Sequence, residues 1–169
     1  MTSEAGQAPS PYGFAGLQRA DLPRLRQWLG SPEAARWWGD PDEQYGLIEE
    51  DLANPQMAQW IVSFEGRPFA YAQAYEVHAW PQAHLEFLPA GAMAIDAFIG
   101  EPEMIGRGHG GRFLRRLAQR LLAAGAPAVA IDPDVENLRA RRAYARAGFT
   151  GDTVVETPEG PAVLMMFRP

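Results

Sequence analysis

Eight residues, Met104–Gly111 (MIGRGHGG), place four glycines within six positions, directly ahead of an amphipathic stretch. Gly106, Gly108, Gly110 and Gly111 strip side chains from a short turn, so its backbone N–H groups can converge on one ligand. Residues 112–124 then put Phe113, Leu114, Leu117, Leu121 and Leu122 on one helical face and Arg112, Arg115, Arg116 and Arg120 on others. A bare turn at a helix start favours anions, because unpaired amides and the helix dipole both attract negative charge. The chemistry expected there is binding of a phosphate-bearing ligand. Elsewhere, Asp96 stands in the apolar run Ala92–Ile99, where an unpaired carboxylate is costly to bury. Asp132 closes the apolar run Ala128–Ile131 just before Pro133, where it also reads as a plain strand-ending turn residue. His109 in the turn, and His78 and His84 in a patternless segment, show no regular ligand spacing, so no metal site is expected.

Gly106-x-Gly108-x-x-Gly111 satisfies the GxGxxG pattern of dinucleotide-binding folds, and Asp132 lies where a ribose-binding acid would follow. Context argues against that reading. Six residues, Gly100–Ile105, separate the preceding strand from Gly106, and hairpins stand upstream where repeated βαβ units are needed. A Walker loop would end in Gly-Lys-Ser/Thr, which Gly111-Arg112 is not. The glycines read merely as a loop in a chain that holds 17 of them, were the helix start not so well placed. A pyrophosphate on a strand–turn–helix unit in a mixed sheet remains, and coenzyme A carries one.

The elements that must position these residues follow the chain's punctuation. Phe14–Ala20 reads as a first strand, with Asp21 as N-cap of helix 22–30; Ser31-Pro32 starts a short helix ending at Trp38. Gly39–Glu43 is turn-like, and Glu43–Leu52 aligns Tyr45, Ile48 and Leu52 as a helix. Gln59–Phe64 and Phe69–Tyr75 read as strands joined by the hairpin connection 65–68. Val77–Gly91 is irregular. Ala92–Ile99 and Ala128–Ile131 are strands, Asn137–Ala147 is a helix closed by Gly148, and Val154–Val155 and Ala162–Phe167 are closing strands across 157–160. The expected organisation is a tail over 1–13 and a single mixed α+β domain over 14–169.

Composition narrows the function. With 169 residues and 47% hydrophobic content, one domain buries an adequate core without staples. Cysteine is absent, which excludes disulfides, thiolate metal ligands and cysteine nucleophiles. Net charge is −6, from 21 acidic against 15 basic residues, which disfavours nucleic acid and anionic membranes and suits a cationic partner. MTSEAGQAPSPYG has neither a basic nor an apolar leader region, so a loose tail is expected there and not a signal. No apolar run reaches a membrane span. A cytoplasmic protein, monomeric or homodimeric, is the expectation.

Ile105-Gly106-Arg107-Gly108-His109-Gly110 resembles the pyrophosphate turn Gln/Arg-x-x-Gly-x-Gly/Ala of the GCN5-related N-acetyltransferases, with Ile105 in place of the leading Gln/Arg. Asn137–Phe149 resembles the same family's Asn…Ala…Tyr-x-x-x-Gly-Phe helix. Within the family the chain is most similar to aminoglycoside 6′-N-acetyltransferases. That likeness rests on Trp37-Trp38-Gly39, Tyr71–Tyr75, Ile95-Asp96, Ile131-Asp132-Pro133 and Thr157–Val163. Siderophore-type acetylases acting on N-hydroxylysine share much of this frame.

The resemblance implies a central mixed, mostly antiparallel sheet flanked by helices, with neighbouring parallel strands splayed at the acetyl-CoA site. It implies direct acetyl transfer from acetyl-CoA to a primary amine of an aminoglycoside, the 6′-amine; a siderophore-type N-hydroxylysine or other small amine is the competing reading, and a non-catalytic acyl-CoA-binding module a third. Ile105, Gly106, Arg107, Gly108, His109, Gly110, Gly111, Asn137, Ala140 and Tyr144 are then the acetyl-CoA contacts. Tyr144 is the acid for the departing thiolate, and Asp96 and Asp132 hold or deprotonate the amine. Trp38, Gln73 and Glu159 join those acids in binding the acceptor, Trp38 as a wall with Trp37 turned inward. Acceptor chemistry of this kind demands positioning and donors for a developing oxyanion, and no covalent intermediate.

Overall fold

The computed structural model describes residues 9–168, so most of the expected tail over 1–13 lies outside the described residues. Seven strands form one sheet: β1 (Tyr12–Gly16), β2 (Met57–Phe64), β3 (Arg67–Glu76), β4 (Met93–Ile99), β5 (Val129–Ile131), β6 (Thr150–Thr157) and β7 (Gly160–Phe167). Five α-helices accompany them: α1 (Leu22–Leu29), α2 (Pro32–Trp38), α3 (Pro41–Asp51), α4 (His109–Ala123) and α5 (Leu138–Ala147). The sheet order is β1-β2-β3-β4-β5-β7-β6. Every neighbouring pair is antiparallel except β4 and β5. This is the expected mixed α+β architecture.

Local chemistry explains where boundaries moved. β1 begins at Tyr12 and stops at Gly16, because the chain then turns through a 3-10 segment, Arg19–Asp21. The Asp21 carboxylate accepts from the Gln18 amide at 2.9 Å, so it serves that turn and makes no side-chain cap to α1. Asp40 caps α3 by accepting from the amides of Asp42 and Glu43, which starts that helix at Pro41 and not at Glu43. Ser31 caps α2 as its Ser-Pro spacing implies. Glu65 and Gly66, both with positive φ, make the two-residue turn between β2 and β3. β6 spans eight residues where only Val154–Val155 was expected. It is a mostly exposed edge strand, so its polar sequence lacks the apolar alternation that marks a half-buried one.

The largest correction concerns the glycine turn. α4 starts at His109, three residues before Arg112, with Gly108 in the left-handed conformation (φ 84°) as N-cap. Gly110 and Gly111 therefore belong to the helix's first turn. Gly111 is a packing residue, since a Cβ there would stand 2.7 Å from the Ala143 carbonyl oxygen of α5. α5 is capped by the Asn137 side chain accepting from the Ala140 amide. It ends as expected in a Schellman arrangement, Gly148 left-handed and the Phe149 amide donating to the Tyr144 carbonyl.

α4 and α5 cover one face of the sheet, where Phe113, Leu114 and Leu117 pack with Phe69, Ile95, Val129 and Phe149. Each such side chain contributes about 1.5–3 kcal/mol when fully buried. On the other face α1–α3 bury Leu25, Trp28, Leu29 and Ile48 against Ile61, Tyr71 and Phe98. Segment 77–91 covers the rest through Leu85 and Leu88. β4 and β5 are paired only at Met93↔Val129 and Ala94↔Ala130. Beyond Ile131 the chain keeps its bonds to β7, through Val163 N–H to Pro133 O and an Asp134↔Ala162 bridge, and lets β4 go. The gap opens on the α4–α5 side of the site described next.

Gly111→Ala is expected to lower stability by about 1–3 kcal/mol in chemical denaturation, because the added methyl forces α4 and α5 apart. Gly46→Ala, exposed inside α3 with nothing within 4 Å of the new Cβ, should raise it by roughly 0.5–1 kcal/mol.

Candidate active site

The pairing of β4 with β5 runs Met93↔Val129 and Ala94↔Ala130. Asp96 and Asp132 each stand two residues past the last paired positions, Ala94 and Ala130, where the strands have parted. Both acids, with Tyr144 of α5, line one cavity of about 430 Å³. Its floor is the glycine turn: Ile105, Gly106, Gly108, Gly110 and Gly111 all face it, as do Asn137 and Ala140. Gly106 and Gly108 hold positive φ of 76° and 84°, and a Cβ at Gly106 would meet only open space, so the missing side chain serves backbone shape and access. The first-turn amides of α4 have no intrahelical acceptors and end at this floor.

Asp96 is positioned across the sheet. In the β3–β4 register Gln73 is opposite Asp96, and its Nε2 donates to Asp96 Oδ2 at 3.0 Å. Tyr71, two residues earlier on the same face, donates its hydroxyl proton to Gln73 Oε1 at 2.8 Å and so fixes the amide. Burial, and next the charge of Asp132, push the Asp96 carboxyl up to about 7. Burial raises Asp132 as well, opposed by a hydrogen bond from His84 at 2.7 Å. The Tyr144 phenol is held firmly protonated, first by burial and then by the two nearby carboxylates.

Other expected residues are placed differently. Gln73 is not on the cavity wall and acts through Asp96. Glu159, in the β6–β7 turn, is not among the cavity-lining residues; its carboxylate accepts from the Thr157 hydroxyl. Its charge still reaches inward and raises both Asp96 and Asp132. Arg107 and His109 do not line the cavity either. His109 is buried, its Nδ1 2.8 Å from the Tyr12 hydroxyl and its ring against Phe64 and Phe69. It pins α4 to β1 and β2. Trp37 and Trp38 both line the cavity. Trp38 is the inward one, edge-on to Tyr71 and Phe98, while the Trp37 indole donates to Glu33.

Two features were not foreseen. His84 comes from the irregular segment 77–91, whose lack of any period hid it. Arg139 of α5 lines the cavity and pairs with Glu33 of α2. Among the described residues no group of three or more His, Asp or Glu is arranged to hold a metal ion. No helix among them is long and apolar enough to cross a membrane.

Parallel strands thus part over a glycine turn, and a phenol and two raised carboxyls line the cavity between them. The chain belongs to the GNAT acetyltransferases: the family model for the acetyltransferase (GNAT) domain matches residues 18–157. It is 31% identical over 160 residues to an aminoglycoside N(6′)-acetyltransferase type 1 of Klebsiella pneumoniae, covering 86% of this chain and 77% of that one. Aminoglycoside acetyltransferase AAC(6′)-Ib in complex with coenzyme A and kanamycin superposes with a TM-score of 0.81 at 30% identity, covering 93% of this chain and 94% of that one. The same enzyme with paromomycin and acetyl-CoA gives 0.84 at 28% identity, covering 94% of each chain. A catalytic acetyltransferase, and not a bare acyl-CoA-binding module, is therefore the class.

Asp96 gives a stability test with a definite sign. Its folded value lies above the ordinary 3.8, so the folded state keeps a proton that the unfolded chain releases first. Relative to Asp96→Asn, the wild type should lose stability as pH rises from 3.8 to about 7, as read by thermal melts across that window.

Proposed function

We propose that this chain transfers acetyl from acetyl-CoA to a primary amine of an aminoglycoside, at the 6′ position. The observation that carries the reading is that Asp96 and Asp132 line one cavity beyond the parting of β4 and β5, with Glu159 adding negative potential behind them. A polycationic acceptor needs several carboxylates, and these come from three separate elements. The similarity to aminoglycoside acetyltransferases over most of the chain supports the same acceptor class.

The residues present fit the donor. Side-chain-free backbone at Gly106 and Gly108, with the start of α4, suits a pyrophosphate, and Ile105, Asn137 and Ala140 complete that wall. Bound acetyl-CoA supplies the acetyl group and a thiolate leaving group. Asp96, fixed by Gln73 and titrating near neutrality, takes the proton from the acceptor's ammonium so that a free amine can attack. Asp132 keeps the neighbouring positive charge in place. Tyr144, protonated in the resting site, donates its hydroxyl proton to the departing sulfur, and the phenolate recovers a proton from the nitrogen that has formed the new amide bond. Trp38 walls the acceptor side, and the site needs no covalent intermediate because attack and departure share one cavity.

Steady-state thiol release with kanamycin, tobramycin and N-hydroxylysine tests the acceptor. Turnover with the first two is expected, and turnover with N-hydroxylysine alone overturns the reading. Asp96→Asn should cut kcat by about 10²–10⁴ and remove a pH-rate limb near the Asp96 value of about 7, above which wild-type activity rises. Tyr144→Phe should lower kcat while equilibrium affinity for acetyl-CoA is kept.

A further inference from the structure

Segment 77–91 carries no regular period, yet it is tied down at its neck, middle and tip. At the neck the Glu76 carboxylate accepts from the amides of His78 and Ala79 at 2.9 and 2.7 Å and, across the segment, from Gly91 at 2.9 Å. Those bonds hold Glu76 below the ordinary carboxylate range, so the clamp is ionised wherever the protein is near neutral pH. Inside the segment His78 Nε2 bonds the Leu88 carbonyl at 2.7 Å, and Gln82 Nε2 donates to the Tyr75 hydroxyl at 2.7 Å. Leu85 and Leu88 are buried against the sheet, and the 3-10 turn Ala83–Leu85 packs on β6. Everything in this arrangement converges on one delivery: the His84 side chain, 4% exposed, with Nε2 at 2.7 Å from Asp132 Oδ2.

We propose that His84 is the positioning residue of the acceptor site, its Nε2–H occupying Asp132 Oδ2 so that the other carboxylate oxygen is left, ionised, for an ammonium of the acceptor. An ionised carboxylate has no proton to give, so the shared hydrogen at this contact belongs to the imidazole. Without it Asp132 would sit half-buried opposite Asp96 with no donor at Oδ2, and like charge so close drives one of the pair to bind a proton. A protonated Asp132 no longer attracts a cation. His84 thus separates the roles of the two acids: Gln73 holds Asp96 as the group that exchanges a proton, and His84 holds Asp132 as the anionic anchor. Besides His84, the charged group acting on Asp132 is Glu159 in the β6–β7 turn, and Asp132 in turn acts on Asp96 on β4, Tyr75 on β3 and Tyr144 on α5.

This inference rests on acetylation of a cationic amine, so its test has one arm that does not require activity. His84→Leu fills the space without a donor, and His84→Gln keeps a donor of similar reach. The Asp132 carboxyl, identified by comparison with Asp132→Asn, is titrated by carbon NMR in each protein. It should ionise at higher pH in His84→Leu and return toward the wild-type value in His84→Gln. In parallel, KM for kanamycin at neutral pH should rise about tenfold in His84→Leu, the loss of one charge-assisted contact, with KM for acetyl-CoA unchanged. That rise should shrink as pH is raised and Asp132 re-ionises, a recovery that damaged packing would not show. If Asp132 titrates identically in wild type and His84→Leu, the proposal is overturned. A normal carboxyl shift without kanamycin turnover in the wild type would instead leave His84 in place and refute the acceptor.

Discussion

A parallel strand pair that holds for two residues and then lets go is the constraint on which the site depends. Past Ala94 and Ala130, β5 spends its hydrogen bonds on β7, and β4 runs on with one edge free. Backbone donors and acceptors left in this way must find water or an extended ligand bearing amides. The parting also sets where side chains go. Asp96 and Asp132 each follow the last paired residues by two positions, and both line one cavity with Tyr144 of α5. A slip of one residue between β4 and β5 would turn Asp96 or Asp132 to the opposite face and empty the site of its charge.

Electrostatics then follow from enclosure. Asp96 and Asp132, sharing one cavity with the charge of Glu159 behind them, are both pushed toward the protonated form, first by burial. The fold opposes this with donors drawn from unrelated parts of the chain. Gln73, itself held by Tyr71, steadies Asp96 from β3, and His84 steadies Asp132 from a loop anchored by Glu76. Tyr144, caught between the same charges, keeps its proton. Asp96 and Asp132 therefore titrate as a pair and not as two separate groups.

Packing and ligand access make different demands on glycines that lie side by side. Gly106 and Gly108 need positive φ at the cavity floor, whereas Gly111 is small because the backbone of α5 passes within contact of its Cα. His109 sits between them in sequence but turns away, into an aromatic cluster of Tyr12, Phe64 and Phe69. Alternation of this kind is what a helix start produces: successive residues point a hundred degrees or so apart, so neighbours in a motif need not share a ligand.

Much of this was legible in the chain itself. Ser31-Pro32, Asn137 and Gly148 marked helix ends through local hydrogen-bonding chemistry, which needs no tertiary partner. The glycine turn carried the expectation of an anion for the same reason, and it lines the cavity, as do the two acids marked in apolar runs by the cost of burying them. What neighbours in sequence determine, sequence reveals. Which acid faces which, why Glu159 acts only through its field, why Gln73 serves Asp96, and how a patternless loop brings His84 to Asp132 all depend on strand register and on contacts tens of residues apart. Those were decided by the tertiary structure, because hydrogen-bond partners brought together by a sheet leave no periodic trace in the chain.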